Sequence, residues 1–323
     1  MAQDRGMIGD QAHWYRLMDQ HDSIDFIRLG SETNNPKPVF LFFQGSLPIP
    51  LFIDFGQKGT AIVAGGVTNF DMHAIIQQYH LIVISMPHTP IVAPESHLNS
   101  SYCYLPDPNQ PRRFSAAFHA SDHLDRYVER AIIVWNWLKR QSWVQQNGLV
   151  VAGHSQGSKV AGRFALREKD VERIGLFAAN PFGRMDQFVR EARVDAQKGK
   201  ISWEQADQKM QDQYDFYQKA VDSTAVKAVY RTTQSFSQIF LHDWLKLEIP
   251  IYLAYGTEDR TSDLCDLVPL FFIQAGKNNL TFKRYLQLEH NFFEVENERP
   301  NYEKAHWPAV MQAFVDWCQE EQD

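Results

Sequence analysis

Residues 148–162 read GLVVAGHSQGSKVAG and carry the most informative pattern in the chain. The apolar run at 149–152 is typical of a strand buried on both faces, and the residues after the turn are typical of a helix. Between the two, Gly153 and Gly157 enclose Ser155 in the pattern G-x-S-x-G. A strand that turns directly into a helix brings backbones so close that a Cβ atom would clash. The stretch therefore predicts a strand–turn–helix unit that exposes the Ser155 hydroxyl.

The same turn predicts a chemical role for Ser155. The helix that begins just after this residue directs backbone N–H groups and the positive end of its dipole toward the turn, which stabilises an oxyanion. A serine in this position is typical of a nucleophile that attacks a carbonyl carbon. The alternative interpretation is a glycine-rich turn with a hydroxyl that has no function. The strand before the turn and the helix after it favour the nucleophile.

The rest of the chain alternates short apolar runs with amphipathic stretches. In Asp122–Gln141, apolar residues recur every three or four positions, which predicts a helix with one buried face. Buried strands alternating with helices are typical of a parallel sheet covered by helices. The predicted fold class is therefore α/β, with a mostly parallel central sheet flanked by helices. The predicted strands are Pro38–Phe43, Thr60–Ala64, Leu81–Ser85, Leu149–Ala152, Ile174–Ala178, Ile251–Tyr255 and Leu280–Leu286.

The composition changes at residues 183–247, where Gln, Asp, Lys and Arg dominate and no long strand-like run occurs. The spacing of apolar and aromatic side chains in Trp203–Val221 predicts a helix within this segment. A helical excursion between two buried strands is typical of an inserted cap, and the alternative is a solvated hairpin with no part in binding. We therefore predict a core domain formed by residues 1–182 and 248–323, and a helical cap formed by residues 183–247.

A serine hydroxyl is a poor nucleophile at neutral pH, so the chain must also supply a general base and an acid that orients it. Asp259 follows the predicted strand that ends at Tyr255, and His290 follows the one that ends at Leu286. The carboxyl ends of parallel strands meet at one edge of a sheet, so both loops are expected beside Ser155. We predict His290 as the base and Asp259 as the acid. The carboxylates that compete with this acid, with the second choice first, are Asp263, Glu258 and Glu289.

The turn Gly153–Gly157 and the chain order of the three predicted catalytic residues resemble the α/β-hydrolase superfamily. The resemblance extends from the strand Pro38–Phe43 to a C-terminal helix near Tyr302–Gln319, and residues 183–247 take the usual cap position. It implies a hydrolase with a Ser-His-Asp triad and without a metal ion. Esterases, lipases, thioesterases and peptidases share the scaffold, so the substrate does not follow from it.

The resemblance also implies where an oxyanion would be bound. In this superfamily one backbone N–H comes from the residue after the nucleophile and one from a loop that follows an early strand. The implied donors are the N–H groups of Gln156 and of Ser46, the latter in the loop at residues 44–46. Leu47 is a competing donor, whereas Pro48 has no N–H group. The alternative is that this loop is a simple polar turn.

Charge and cysteine content limit the function classes. Hydrophobic residues make up 44% of the 323 residues, which is enough to fill a large core. Lys plus Arg total 32 against 39 Asp plus Glu, and the absence of a basic stripe argues against a nucleic-acid partner. Cys103, Cys265 and Cys318 form no C-x-x-C pair, which fits a reducing compartment.

Other motifs are missing from the sequence. It has no dinucleotide-binding or Walker pattern, and the spacing of His119 and His123 suggests no third metal ligand, so we expect no cofactor and no metal. We read these two histidines as surface or capping residues. No signal peptide and no membrane span are apparent, from which we expect a cytoplasmic protein of unknown oligomeric state.

Three functions from different classes follow from these residues. The preferred one is a carboxylesterase that cleaves esters of small molecules through an acyl-enzyme, because an activated serine needs least additional machinery for this reaction. The second is a serine peptidase or amidase for small peptides or amides, with an amino-terminal clamp from the cap. The third is a ligand-binding homologue without turnover, against which the complete trio argues. The residues that could form the clamp are Glu191, Glu204 and Asp207.

Overall fold

Strands and helices alternate along most of the chain. The computed structural model describes residues 3–9, 12–20, 22–30, 35–110, 113–222 and 227–320. The strands are β1 (Gln3–Ile8), β2 (Ala12–Met18), β3 (Ser23–Leu29), β4 (Val39–Phe43), β5 (Phe52–Asp54), β6 (Thr60–Ile62), β7 (His80–Ile84), β8 (Val92–Pro94), β9 (Leu149–His154), β10 (Val171–Phe177), β11 (Ile251–Gly256), β12 (Leu280–Tyr285), β13 (Phe293–Glu296) and β14 (Arg299–Ala305). The helices are α1 (Met72–Gln78), α2 (Ala116–Ser121), α3 (Leu124–Leu138), α4 (Gln156–Arg167), α5 (Arg184–Gln197), α6 (Trp203–Asp222), α7 (Ala228–Phe236), α8 (Leu241–Trp244), α9 (Val268–Gln274) and α10 (Trp307–Trp317).

A nine-stranded sheet forms the centre, in the order β1-β2-β3-β7-β4-β9-β10-β11-β12. From β7 to β12 all neighbouring strands are parallel. At the other edge β1, β2 and β3 run antiparallel to their neighbours. The predicted α/β class with a mostly parallel sheet is therefore confirmed. The carboxyl ends of β9, β11 and β12 lie at one edge of this sheet, where the loops with the predicted site residues begin.

The two faces of the sheet form two hydrophobic cores, because successive side chains of a strand point to opposite faces. In β4, Phe43 packs against Phe164 of α4, with ring centroids 5.6 Å apart. Phe40 of the same strand packs on the other face against Phe314 of α10, at 5.9 Å. All five residues of β4 are buried. Covering both faces explains why the central strands read as continuous apolar runs.

The antiparallel edge formed by β1, β2 and β3 was not predicted. These strands carry charged residues among the apolar ones, which hides the strand pattern. Some of these charges are paired across strands: Arg16 donates to Asp25 on the neighbouring strand, with Nε and Oδ1 2.7 Å apart. Arg130 of α3 likewise forms an ion pair with Asp22. Such pairing depends on contacts between strands and helices, which hydrophobic periodicity does not record.

Two predicted elements were wrong in extent. The run Thr60–Ala64 was predicted as a buried strand, yet β6 belongs to a separate three-stranded sheet with β5 and β8, and its first two residues are exposed. The predicted C-terminal helix near Tyr302–Gln319 begins only at Trp307, and Tyr302 lies in β14. The proline at position 308 explains this start, because proline is tolerated in the first turn of a helix but not in its interior.

The segment between β10 and β11 is helical, as predicted, and contains α5, α6, α7 and α8. The short helix α8 anchors it to the core, since Trp244 is fully buried and packs next to Gly162 of α4. Arg163 of α4 donates to Asp243 of α8, with Nε and Oδ2 2.7 Å apart. Among the described residues, no helix combines the length and the apolar character needed to cross a membrane.

Candidate active site

The sharp turn between β9 and α4 holds Ser155 in a backbone conformation that most residues avoid. Its φ is 56° and its ψ is −121°, which places it in the left-handed half of conformational space. The turn is fixed from the neighbouring strand, because the Ser155 N–H donates to the Phe177 carbonyl oxygen at 2.9 Å. Strain of this kind persists only where the surrounding structure enforces it.

Both glycines of the turn are required by close backbone approach. A Cβ atom at Gly153 would lie 2.1 Å from the carbonyl oxygen of Gly157. A Cβ atom at Gly157 would lie 2.0 Å from the carbonyl oxygen of Phe43, at the end of β4. Distances this short cannot be relieved by a side-chain rotation, because the obstructing atoms belong to the backbone. The spacing G-x-S-x-G is thus a steric requirement of this turn.

The substitution Gly157→Ala is expected to lower the free energy of unfolding by about 3 kcal/mol or more, because β4 must move away from the turn. Gly162→Ala on the same helix is the matched control. There the new methyl group would meet the Trp244 side chain at 3.1 Å. The gain in helix propensity, about 1 kcal/mol, offsets that contact. Denaturant unfolding of both variants measures the difference, and equal small changes would contradict the steric argument.

The structure brings Ser155, His290 and Asp259 into hydrogen-bonded contact. His290 Nε2 lies 2.9 Å from Ser155 Oγ. On the other side of the imidazole, His290 Nδ1 lies 2.8 Å from Asp259 Oδ2. These three residues come from three loops at the carboxyl edge of the sheet, up to 135 positions apart in the chain. A base within reach of the serine and a carboxylate that orients the base are the arrangement a serine nucleophile needs.

The other carboxylates considered for the acid point elsewhere. Asp263 forms an ion pair with Arg190 of α5. Glu258 is exposed. Glu289 accepts hydrogen bonds from backbone N–H groups of its own loop, from Asn291 at 2.7 Å and from Phe293 at 3.2 Å. Asp259 is the one of the four that contacts the imidazole, and it is only 2% exposed.

Two hydroxyl residues beside Asp259 were missed by the sequence analysis. Thr261 Oγ1 lies 2.8 Å from Asp259 Oδ1 and 2.9 Å from His290 Nδ1. Ser262 Oγ donates to Asp259 Oδ2 at 2.7 Å. The Thr261 N–H also donates to Oδ1, at 2.8 Å. Together they hold the carboxylate in place. The signal in the sequence that could have indicated them is the run of polar residues that follows Gly256.

The electrostatics of the acid and the base are coupled. Burial alone would raise the pKa of Asp259, but the charge of His290 and the hydrogen bonds from His290, Ser262 and Thr261 outweigh it and lower the pKa. For His290, burial would lower the pKa, but the charge and the hydrogen bond of Asp259 raise it above its ordinary value. The pair therefore favours an ionised carboxylate and an imidazole that is more basic than a free histidine.

The loop that carries His290 contacts its surroundings closely at two points. A Cβ atom at Gly256 would lie 2.0 Å from the Leu288 carbonyl oxygen, so a side chain here would push the loop away. His154 Nε2 lies 2.8 Å from the His290 carbonyl oxygen. Burial lowers the pKa of His154 to about 3, so its imidazole is neutral and donates this hydrogen bond. Through this hydrogen bond, His154 supports the loop that carries His290.

Ser155 lies between two cavities of different character. One has a volume of about 450 Å³ and a largely apolar wall that includes Phe42, Ile49, Phe70 and Trp307. The other has a volume of about 340 Å³ and a polar wall, to which α4 and α5 contribute. Ser46 and His290 line both cavities with Ser155. A substrate carbonyl at Ser155 would thus have room on either side.

The predicted oxyanion residues lie next to the serine. Gly45 packs closely on the turn, because a Cβ atom there would lie 4.0 Å from Ser155 Cβ. The Gln44 side chain holds the loop by donating to the Ile84 carbonyl oxygen at 2.7 Å. Gln156 is the first residue of α4, where backbone N–H groups have no partner within the helix. Ser46 and Gln156 both line the polar cavity with Ser155, and their role as donors is a proposal.

The two histidines singled out in the sequence, His119 and His123, make contacts within their own segments. His123 accepts a hydrogen bond from the Arg126 N–H at the start of α3, at 3.3 Å. His119 packs against aromatic side chains of its own segment. The three cysteines are free and buried. Across the part of the chain that the structure describes, no group of three or more His, Cys, Asp or Glu residues is placed to hold a metal ion.

Comparison with known proteins shows the fold. No protein-family model matches the sequence, and no curated protein matches it. Among solved structures, an acetyl xylan esterase from Paenibacillus sp. R4 is 12% identical, with a TM-score of 0.55 over 98% of this chain and 88% of that chain. An acylaminoacyl peptidase from Pyrococcus horikoshii is 9% identical, with a TM-score of 0.57 over 97% of this chain and 43% of that chain. The chain has the α/β-hydrolase fold.

A third similar structure shares the α/β-hydrolase fold: the thioesterase domain from the curacin biosynthetic pathway is 13% identical, with a TM-score of 0.51 over 96% of this chain and 99% of that chain. The resemblance seen in the sequence is thereby confirmed at the level of the fold. Because an esterase, a peptidase and a thioesterase share this fold, it does not choose among substrates. The α/β-hydrolase fold explains why the three site loops meet at one edge of the sheet.

Proposed function

We propose that the protein is a serine hydrolase that cleaves carboxylic esters of small molecules through an acyl-enzyme. The observation that carries the proposal is the continuous contact from Ser155 Oγ through His290 to the buried Asp259 carboxylate, at 2.9 Å and 2.8 Å. A serine held in a strained turn, with a base and an orienting acid, is the arrangement of acyl transfer. Hydrolysis of para-nitrophenyl butyrate by the wild-type chain, compared with Ser155→Ala, tests it.

Acylation begins when Ser155 Oγ attacks the ester carbonyl carbon and His290 Nε2 accepts the serine proton. The carbonyl π pair moves onto its oxygen, which becomes the oxyanion of a tetrahedral intermediate. When this intermediate collapses, the bond between the carbon and the alcohol oxygen breaks. The leaving oxygen takes the proton from His290, so the alcohol departs neutral. Asp259 keeps the imidazole in the required orientation and stabilises its protonated form.

Deacylation repeats the same steps with water in place of serine. His290 takes a proton from water as the water oxygen attacks the acyl carbon, and a second tetrahedral intermediate forms. Its collapse breaks the bond to Ser155 Oγ, which recovers the proton from His290. The free carboxylic acid leaves. In both halves the N–H groups of Ser46 and Gln156 are proposed to bind the oxyanion, which helix α4 further stabilises.

Residues 183–247 are proposed to act as a cap over this site. The segment contributes Arg184, Gln187 and Phe188 to the wall of the polar cavity that contains Ser155. The carboxylates required for a peptide clamp do not line that cavity or the apolar one: Glu204 and Asp207 are exposed on α6, and Glu191 accepts from Gln187 at 2.9 Å. This favours the esterase over the peptidase.

The pH dependence of hydrolysis follows from the state of His290. We expect kcat/KM to fall as the pH decreases, with a one-proton limb whose midpoint lies above the ordinary histidine value of 6.5. A protonated imidazole cannot accept the serine proton, and Asp259 raises the pKa at which protonation occurs. In Asp259→Asn the midpoint of any residual activity is expected at lower pH. A profile that is flat between about pH 5 and pH 8 would contradict a histidine base.

A further inference from the structure

The polar cavity beside Ser155 is lined by cations and amides. Lys159 of α4 and Arg184 of α5 face the same space as Ser155 and His290, together with Asn180 and Gln187. No Asp or Glu side chain is among the residues that line it. Two positive side chains therefore border the cavity without a carboxylate on its wall.

Among the described residues, Lys159 has no ion pair, although the Asp186 carboxylate acts on it electrostatically. Lys159 is only 6% exposed, and within the same residues the one hydrogen bond of its Nζ is to the Phe236 carbonyl oxygen at 3.1 Å. The ring of Phe240 lies under Nζ, with the centroid 5.0 Å away. Burial, followed by the charge of Arg184, lowers the pKa of Lys159 to about 7. A negative ligand would restore the charged form and supply the missing acceptor.

Arg184 has donors without a hydrogen-bond partner among the described residues, and its side chain lines both the polar cavity and a neighbouring cavity of about 890 Å³ that contains Asp122. Its Nη2 donates to the Gln156 side chain at 2.6 Å, which is its one side-chain hydrogen bond within the described ranges. Asp122 acts on this guanidinium electrostatically, but its carboxylate accepts from Tyr127 at 2.9 Å instead of forming an ion pair. Since a guanidinium has five N–H donors in a planar fork, one edge remains available for two oxygens.

The turn that precedes Arg184 has a fixed backbone conformation. The residue before it, Gly183, has φ 129°, and a Cβ atom there would lie 2.9 Å from the backbone of Ser237. The Asn180 side chain holds the turn, accepting from the Gly183 N–H at 3.1 Å and donating to its carbonyl oxygen at 2.7 Å. Burying cations without a hydrogen-bonded counter-ion costs free energy, which proteins accept where function requires the charge.

We propose that this cavity binds a carboxylate of the substrate, so that the enzyme prefers esters carrying a free acid group over their neutral analogues. The inference rests on the proposed ester hydrolysis and names its substrate class. Arg184 would bind both carboxylate oxygens through its free edge, while Lys159 donates from the floor of the cavity. A guanidinium fork binds carboxylate and phosphate oxygens alike, so the charge of the ligand decides between them. A carboxylate carries one negative charge, which Arg184 balances, whereas a phosphate dianion carries two and the lowered pKa of Lys159 leaves its ammonium only partly ionised.

Two pairs of esters test the preference, each pair differing only in the charge. In para-nitrophenyl hydrogen adipate and its methyl ester, the carboxylate is in the acyl part. In meta-acetoxybenzoate and its methyl ester, it is in the alcohol part. We expect the wild-type kcat/KM to favour the charged member of at least one pair by about tenfold or more, after correction for the uncatalysed rates.

Variants of Arg184 and Lys159 test the preference for a charged ester. The preference is measured as the kcat/KM of the charged ester divided by the kcat/KM of its neutral partner. Arg184→Gln and Lys159→Met are each expected to lower this ratio by about tenfold or more. Arg193→Gln is the matched control, because Arg193 is an exposed residue on the same helix and does not line the cavity. It is expected to leave the ratio unchanged. Thermal unfolding checks that each variant is folded, and the ratio cancels any general loss of activity.

A ratio near one in both pairs, or an equal loss on both members in Arg184→Gln and Lys159→Met, would overturn the proposal. So would inhibition of neutral-ester hydrolysis by phenyl phosphate but not by benzoate, which would indicate a phosphate ligand. The proposed hydrolysis is judged separately, by labelling of Ser155 with a fluorophosphonate and by turnover of the neutral esters. If labelling and neutral-ester turnover are both observed while the ratio of charged to neutral kcat/KM is near one, the proposed hydrolysis is supported and the carboxylate site is refuted. If both are absent, the two proposals fail together.

Discussion

Ser155→Ala is expected to lower kcat/KM for ester hydrolysis by about a thousandfold or more and to abolish labelling by a fluorophosphonate. The hydroxyl is the atom that forms the acyl bond, and its Oγ lies 2.9 Å from His290 Nε2, the nitrogen that accepts its proton. Intact mass measures the labelling: the wild type gains one adduct, and the variant gains none. The backbone of the turn stays intact, because alanine removes only the oxygen.

The control for this experiment is Ser101→Ala, which makes the same chemical change on an exposed loop. It is expected to label and to hydrolyse esters like the wild type. If Ser155→Ala were labelled as fully as this control, a different residue would be the nucleophile. If neither the wild type nor the control were labelled while both were folded, the turn would not be activated, and a binding role would become the better explanation.

The second large effect is expected for Asp259→Asn, which should lower kcat/KM by about a thousandfold to ten-thousandfold. An amide at this position carries no charge to stabilise the protonated His290, and its N–H groups favour the wrong imidazole tautomer. The carboxylate is 2% exposed and accepts from several donors, so its surroundings are built for an anion. Steady-state kinetics with para-nitrophenyl butyrate measures the loss.

Asp263→Asn is the matched control, because it makes the same change four positions further along the chain. Its carboxylate pairs with Arg190, and its side chain is 45% exposed. We expect kcat/KM to change by about twofold or less, since exposed ion pairs contribute little. The reverse order of effects, with the larger loss in Asp263→Asn, would assign the acid to Asp263 and refute the arrangement proposed here.

Local patterns in the chain were enough to predict the central elements. The apolar run before Ser155 became β9, and the residues after it became α4, because a strand buried on both faces and a helix with one buried side leave distinct periodicities. Gly153 is required by a backbone distance within the turn, whereas Gly157 is required by the approach of β4. The placement of Asp259 and His290 followed from chain order, since loops after parallel strands meet at one edge.

Other elements lay outside the reach of such patterns. The edge strands β1, β2 and β3 carry charged residues among the apolar ones, and some are paired across strands, as Arg16 is with Asp25, so their sequence does not show a strand pattern. In the sequence, Thr261 and Ser262 look like residues of any polar turn. Their role follows from the folded structure, in which both hydroxyls contact the Asp259 carboxylate. Tyr302 appeared helical, and the strand β14 forms because it pairs with β13.

The glycine turn around Ser155 and the mostly parallel sheet could be predicted from residues near one another in the chain, because steric limits and hydrophobic periodicity act over a few positions. The expected positions of the base and the acid followed from the order of the strands along the chain. Which carboxylate meets His290, and the joining of Lys159 with Arg184 in one cavity, depended on the packing of loops and helices. Burial and charge pairing arise between segments that are distant in the chain. Only the folded arrangement therefore decides how these groups are shielded and paired.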